Sequence, residues 1–412
     1  MSRAEQDGLP LYDALIVGAG PAGSTLARQL ARGGWRVALV EREPKGRDRV
    51  CGGFLGPEVS QLWQELDLGR HRASLPAAPV RSLTLSGTGS ARIEIPLPDG
   101  GGLGVSRAEF DRWLSDRAVE AGAHLCGDTK VRRVRPTAQM ARVTLERGGA
   151  LQEVAARVVI RAAGRRRAAA GTVRHAEGYF GCKTVYEQVA GSGGGVALHF
   201  IAQGHVGFNS LPDGRTTMCL YVAQSRIRAA RGRLDDMMTR FSEDNPAIGR
   251  ALHGARRAGP WMSCPAQPDA HEVFVQHGAF NVGDAVTMVN PVLGAGLSVA
   301  MGSSVLLARE LLAGRRRDVD AHQVARRYAQ AWRAQFAARA RLGRWLGWCE
   351  ERPAVSEQVL RLLSAHPAWC ARVVRYARPA TKRRAAVQAG WAGRPQPAAP
   401  CETATGSVTW TR

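Results

Sequence analysis

Lysine is scarce. Only Lys45, Lys130, Lys183 and Lys382 occur among the 57 basic residues of this 412-residue chain, and arginine supplies the rest. Acidic residues number 35, which leaves a formal net charge of +22. That charge does not make a nucleic-acid binder, because RNP, zinc-finger and helix-turn-helix patterns are all missing. The basic residues are scattered, with short clusters only at Arg165-Arg166-Arg167, Arg315-Arg316-Arg317 and Lys382-Arg383-Arg384. An arginine-for-lysine bias in a chain rich in alanine and glycine fits a GC-rich coding habit. An anionic membrane surface or an acidic electron-donor protein suits the charge better than nucleic acid.

Also lacking is any Cys-x-x-Cys pair: the eight cysteines (51, 126, 182, 219, 264, 349, 370, 401) are dispersed. This argues against a zinc site and a disulfide framework, and places the chain in a reducing cytoplasm. The N-terminus carries no charged-then-apolar leader, and no uninterrupted apolar run reaches spanning length. The expectation is a cytoplasmic protein with no transmembrane segment and at most peripheral membrane contact. Hydrophobic residues make up 45%, enough for a sizeable core.

The first recognisable unit is a βαβ. Residues 11–17 (LYDALIV) read as a buried strand, 21–33 as a helix and 35–41 (WRVALVE) as a second parallel strand. Between strand and helix stands Gly18-Ala19-Gly20-Pro21-Ala22-Gly23. Gly18 permits the tight turn, Gly20 lets the backbone approach a pyrophosphate, and Gly23 lets helix and strand pack closely. The helix N-terminus offers amide donors to that pyrophosphate. Glu41 ends the second strand at the distance that serves a ribose hydroxyl, with Arg42 beside it as a further cofactor candidate. A dinucleotide site follows, and whether it takes NAD or FAD is open at this point.

Further along, 105–122 reads as a helix from the cap candidate Ser106 to Gly122, and 154–162 as a strand. Glycine-punctuated alternating segments fill 178–275, as in an antiparallel sheet that 83–97 can join. A strand at 279–283 leads through a loop to a helix at 296–313. Helices dominate from 318, with Val324, Tyr328, Trp332, Phe336, Leu342 and Leu346 near one face and Pro353 and Pro367 as breaks. Trp332, Trp345, Trp348 and Trp369 read as core residues. Composition predicts a disordered tail over 385–412.

The segments Phe280-Asn281-Val282-Gly283-Asp284-Ala285 and Pro291-Val292-Leu293-Gly294-Ala295-Gly296-Leu297 resemble the Gly-Asp motif and flavin loop of a known flavoprotein superfamily, the one containing para-hydroxybenzoate hydroxylase and geranylgeranyl reductase. The resemblance implies FAD as cofactor. It implies that Asp284, after Gly283, binds ribityl or ribose hydroxyls, and that Pro291 and Gly294 to Leu297 run beside the isoalloxazine. Arg49-Val50-Cys51-Gly52-Gly53 resembles the arginine-led Cys-Gly-Gly stretch of geranylgeranyl-reductase-like members, with Val50 where a lysine is usual. Ser106-Arg107-Ala108-Glu109-Phe110-Asp111 is similar to the family's arginine-led helix. These matches imply that Arg49 and Arg107 approach FAD and that the Val131 backbone meets adenine. Arg107 as an ordinary helix-start arginine is the alternative.

The implied fold is α/β. A Rossmann-type FAD-binding domain (1–75, 105–177 and 276–317) carries an inserted antiparallel β-sheet substrate domain (76–104 and 178–275). A helical C-terminal extension covers 318–384. Two departures matter. Arg161-Ala162-Ala163-Gly164-Arg165 lacks the Asp-Gly pair that the family links to FAD and NADPH, so direct reduction by NADPH or NADH stays open beside a carrier protein. Residues 204–212 keep Pro212 but lack the tryptophans of halogenases, which argues against tryptophan halogenation.

On this resemblance the leading expectation is an FAD-dependent monooxygenase acting on an aromatic, polyketide-like or isoprenoid small molecule through a flavin C4a-hydroperoxide. The alternative is an FAD-dependent ene-reductase similar to geranylgeranyl reductase. A flavin-bound protein that serves a partner without turnover is the third reading. Cys51 is the candidate acid of the reductase route, since a free thiol titrates near ~8.5. A small buried residue before a glycine bend is the other reading of it. His199 and His205 read as structural residues or as hydrogen-bond partners of a phenol or ketone.

Overall fold

The computed structural model describes residues 9–89, 91–137, 140–164, 178–191, 193–266, 268, 271–317, 320–366, 368–370 and 372–373. The tail expected over 385–412 and the basic clusters at 165–167 and 382–384 lie outside them.

Strand β1 (Leu11–Val17) is the centre of the first sheet. It pairs in parallel with β2 (Val37–Val40) on one side and β11 (Ala150–Arg161) on the other, with Val17 opposite Val40 and Arg161. Beyond β2 lies β8 (His124–Cys126), and beyond β11 lies β19 (Ala279–Asn281), both parallel, with β18 (Val275–Gln276) as an antiparallel edge. The first half of β11 is also paired antiparallel with β10 (Ala141–Arg147), which pairs with β9 (Thr129–Pro136). Strand order therefore reverses at β1, and the crevice between the carboxyl ends of β1 and β11 is where such sheets bind ligands. Helix α1 (Pro21–Arg32) starts with proline at its first position and is buried from Pro21 to Leu30. It is covered by α3 (Arg107–Glu120) and α7 (Gly296–Arg317), a placement that glycine and alanine make compact.

The second sheet runs β16 (Arg256–Arg257), β12 (Tyr179–Glu187), β15 (Thr216–Ala223), β14 (Gly204–Ser210), β13 (Gly195–Ile201), β5 (Ser82–Ser86), β6 (Arg92–Pro96). It is antiparallel except for β13 beside β5, and β17 (Met262–Pro265) also pairs with β12. Residues 82–96 thus enter this sheet, and the alternation read in the sequence is its two-sidedness. Cys182, Met218, Leu220 and Val222 face the outer helices α5 (Leu234–Asp244) and α6 (Pro246–Leu252), against Met237, Phe241 and Ile248. The side chains between them, such as Lys183, Cys219 and Tyr221, point inward. Helix α4 (Gln224–Ala229) precedes α5. A small sheet of β3 (Phe54–Leu55), β7 (Gly102–Gly104) and β4 (Ala78–Val80), with helix α2 (Val59–Glu65), fills the corner between the layers.

Helix α8 (Ala321–Glu350) is a single 30-residue rod whose start is capped by Asp320, which accepts from Gln323 N at 2.8 Å. Val324, Tyr328, Trp332 and Phe336 line its buried face, and α9 (Pro353–Ala365) follows after a proline. The tryptophans divide: Trp332 is buried, but Trp345, Trp348 and Trp369 are 48%, 47% and 49% exposed. The core reading of those three is corrected, for Trp345 and Trp348 by helical phase. At 3.6 residues per turn, Trp345 and Trp348 stand roughly 200° and 140° from the inward-facing Gly343.

Smaller differences have local causes. The strand expected over 279–283 stops at Asn281, because Gly283 takes φ +62 and starts a 3₁₀ turn. Ser106 occupies the N-cap of α3 without a side-chain capping bond. Among the described residues one helix, at Gly296–Gly314, is long and apolar enough to cross a membrane, and 67% of that window is buried as the core of the first layer.

Candidate active site

The glycine turn has two crowded glycines and one open one. At Gly18 (φ +107) a Cβ would lie 2.6 Å from Ala162 O, and at Gly23 it would overlap Gly18 O. At Gly20 nothing lies within 4 Å of that position. The N-terminus of α1 has no side-chain cap and no acidic residue in its first turn. Its orphan amides and the empty side of Gly20 form a cradle of the size and polarity that a pyrophosphate fills. Glu41 sits at the rim: Oε2 accepts from Ala19 N at 2.9 Å, Oε1 from Glu43 N at 3.0 Å, and Arg49 Nη2 is 3.5 Å away. Thr129 N donates to Glu41 O at 2.9 Å, which brings the start of β9, and Val131 two residues on, to the same end of the sheet. Arg42 is not brought there; it lies 3.4 Å from Glu43 with 71% of its side chain exposed.

The second motif closes on the first. Val282 N donates to Arg161 O at 3.0 Å, and Gly283 N donates to Ser303 Oγ at 2.8 Å. A Cβ on Gly283 would meet Ala22 Cβ at 2.9 Å, so Asp284 follows directly on a contact with the first turn of α1. Two segments some 260 residues apart in sequence thus share one crevice. The loop after them is shaped by Asn290, whose side chain accepts from Val292 N at 2.9 Å, and by Gly294 in the left-handed region at φ +57. Ala295 and Leu297 are buried, whereas Gly296 is exposed with nothing within 4 Å of its Cβ position. Pro291 and Gly296 therefore bracket a main-chain ledge that leads into the N-terminus of a 22-residue helix. Such an end favours negative charge beside it. Behind the ledge, Ser298 Oγ donates to Glu58 Oε1 at 2.5 Å, and Arg339 of α8 lies 3.7 Å from the same carboxylate; all three are buried.

Cys51, in the loop 48–53, packs against the same apolar cluster as Leu297. Lys183 Nζ reaches both oxygens of Asp48 at 2.7 Å with 3% of its side chain exposed. Asn209 Nδ2 donates to Gly52 O at 2.9 Å. The loop is therefore clamped to the inner face of the second sheet. Its Gly53 (φ +67) packs so closely on Val105 O that no side chain fits. Arg107 holds Asp111 through Nε and Nη2, both at 2.8 Å, with Cys51 nearby. Burial opposes the charge of Arg107, yet Asp111 and Cys51 outweigh it and push the guanidinium's pKa up. In this structure Arg107 is ion-paired with Asp111 across one turn of α3. Beside Cys51, burial pushes the Cys219 thiol up to about 12, with Cys51 adding to the effect.

The two histidines part. His199 is on the outer face, against Phe208, with Ser86 Oγ at 2.7 Å of Nδ1. Burial, then Arg92 and Arg250, push its pKa down to about 4. His205 is on the inner face: Nδ1 lies 2.5 Å from Glu350 Oε1 of α8, and the ring stacks on Tyr221, which stacks on Tyr179. Burial, then Glu350 and Tyr179, push the Tyr221 phenol up. Asp48, Lys183, Asn209 and Cys219 were missed by sequence reasoning. The one available signal was Lys183, one of only four lysines in the chain.

Comparison with known proteins shows the family and the fold. The family described as FAD binding domain matches residues 11–337. Digeranylgeranylglycerophospholipid reductase 2 of Methanopyrus kandleri is 27% identical over 345 residues, covering 79% of this chain and 83% of that one. Geranylgeranyl diphosphate reductase of Rhodobacter capsulatus is 38% identical over 121 residues, and that match spans only 29% of either chain. Among solved structures, a geranylgeranyl bacteriochlorophyll reductase-like protein of Thermoplasma acidophilum superposes with a TM-score of 0.74 at 19% identity, covering 86% of this chain and 92% of that one. A flavin-dependent brominase superposes with a TM-score of 0.71 at 19% identity, covering 89% of this chain and 100% of that one. At those identities the two structures speak for the fold alone.

Proposed function

The chain belongs to the FAD binding domain family and is an FAD-dependent oxidoreductase, and from that premise we propose that it reduces carbon–carbon double bonds of an apolar, isoprenoid-like small molecule. The observation that carries this reading is the Cys51 loop. Lys183 and Asn209 clamp it against the inner face of the second sheet, its thiol accepts from Gly53 N at 3.4 Å, and the half-buried Arg107, paired with Asp111, lies close enough to interact with it electrostatically. The long-range relatives bearing the names of digeranylgeranylglycerophospholipid reductases add support.

In this reading Gly18, Gly20 and Gly23 hold the pyrophosphate, while Glu41 and Asp284 hold hydroxyls of the ribose and ribityl parts. The ledge from Pro291 to Leu297 supports the ring system. FAD held there would supply the hydride for one carbon of the alkene. Cys51 Sγ gives its proton to the other carbon, Arg107 balances the negative charge left on sulfur, and water restores the proton. Electrons enter from NADPH or NADH, or from a carrier protein; the absent Asp-Gly pair favours the carrier.

Hydroxylation of an aromatic or polyketide-like substrate is the second reading, favoured by the stacked Tyr179, Tyr221 and His205 on the inner face. One experiment separates the two. Chemically reduced, FAD-loaded protein is mixed without oxygen with geranylgeranyl diphosphate, and the products are analysed by mass spectrometry. Addition of two hydrogens per turnover, lost in Cys51→Ala and partly retained in Cys51→Ser, is expected. No product without oxygen, together with an oxygen-containing product from a phenolic panel in air, refutes the reductase reading.

A further inference from the structure

The outer face of α8 near its C-terminus carries Arg341, Arg344, Trp345 and Trp348, all exposed. The opposite face seats the flavin-loop residue Asn290 between Gly343 and Gly347. Trp345 and Trp348 each leave about half of a large indole in water, and Arg352 lies over the Trp348 ring at 4.3 Å. Among the described residues Arg341 and Arg344 have no acidic partner. At i,i+4 spacing Arg341 borders Trp345, and Arg344 borders Trp348, so cations and indoles alternate on one face. The following segment adds exposed Leu362 and Trp369.

Unpaired arginine among exposed tryptophan is the composition of a helix that lies in a bilayer interface. Indole sits at headgroup depth, where its ring is half in hydrocarbon, and guanidinium pairs with lipid phosphate. We propose that this face of α8 is the surface by which the protein docks on an anionic lipid bilayer. Three features argue for lipid over a second copy of the chain. The patch is basic, the whole chain is at +22, and two such faces would repel one another. The inference holds whichever reaction the flavin performs. It also gives the loop at Asn290 a position one helix thickness from the membrane.

The test is flotation of the full FAD-loaded chain with phosphatidylcholine vesicles, with and without phosphatidylglycerol, at low salt. The wild type floats only with the anionic vesicles. Each arginine near such a surface contributes about fivefold to partitioning, so Arg341→Gln with Arg344→Gln weakens binding on the order of twenty-five-fold. The pair Trp345→Ala and Trp348→Ala also lowers binding, with flavin content and helicity unchanged. The proposal is overturned by wild-type protein that stays with the unbound fraction, or by a tryptophan variant that floats like the wild type. It is equally overturned if neutralising Lys382, Arg383 and Arg384 alone abolishes flotation. A Trp-dependent dimer without vesicle binding would assign the face to a second copy instead.

Discussion

Substituting alanine at two glycines of one turn should separate folding from cofactor binding. At Gly20 the backbone has φ −72, a value alanine adopts freely, and the space for a methyl group is empty. The cost to the unliganded fold is then only the poorer N-cap quality of alanine, about 1 kcal/mol, or a few degrees of Tm at most. If the pyrophosphate lies in that space, the methyl group displaces it from at least one amide. One lost charge-assisted hydrogen bond is worth about 1.5–3 kcal/mol, which is roughly 10- to 150-fold in Kd. Gly23→Ala behaves oppositely. Its methyl group overlaps Gly18 O, so helix and strand must separate, at about 3 kcal/mol or more of stability before any ligand is added. The assay is titration of apoprotein with FAD by flavin fluorescence, paired with thermal melts of the apoprotein. A Gly20→Ala protein that binds FAD as tightly as the wild type would falsify the placement of the pyrophosphate.

Two further outcomes follow from the geometry. Asp284→Ala should yield largely colourless protein after purification, read from the flavin-to-protein absorbance ratio, while full yellow occupancy would remove Asp284 from the site. His199 gives a pH dependence: its folded pKa near 4 lies below the ordinary value of 6.5, so the unfolded chain binds the extra proton first as pH falls. Stability from this group is complete above pH 6.5 and is lost progressively down to about pH 4, by roughly 3 kcal/mol in total. His199→Gln should flatten that part of the urea-midpoint profile, and an unchanged slope would assign the acid sensitivity elsewhere.

Much of this architecture was legible because local chemistry determined it. The glycine spacing at 18, 20 and 23 has few other uses after a strand, and Glu41 completed the unit. The Gly283-Asp284 pair and the loop to Leu297 were singled out by resemblance, and the structure brings Gly283 onto the first turn of α1. Alternation in 178–275 revealed a two-faced sheet, since one residue in two is buried against helices. Adjacency to Glu41 says nothing about the direction in which the Arg42 side chain points. At the end of β2 successive side chains point to opposite sides, so Glu41 turns to the glycine turn and Arg42 to solvent.

What stayed hidden was tertiary. Nothing near residue 183 in sequence announces that its ammonium crosses to Asp48, and nothing near 339 announces the carboxylate of Glu58. Both pairs tie together parts of the chain more than a hundred residues apart, and both position loops on either side of the crevice. The tryptophans of α8 teach the complementary lesson. Residue type alone made Trp345 and Trp348 core, whereas the phase set by Val324, Tyr328, Trp332 and Phe336 already assigned them to the far side. A basic helix face with half-exposed indoles is costly to keep in water, since apolar area left exposed forgoes about 25 cal/mol per Å². Among the described residues the arginines beside those indoles, Arg341 and Arg344, have no acidic partner, and an anionic bilayer would take up both the indoles and the charge.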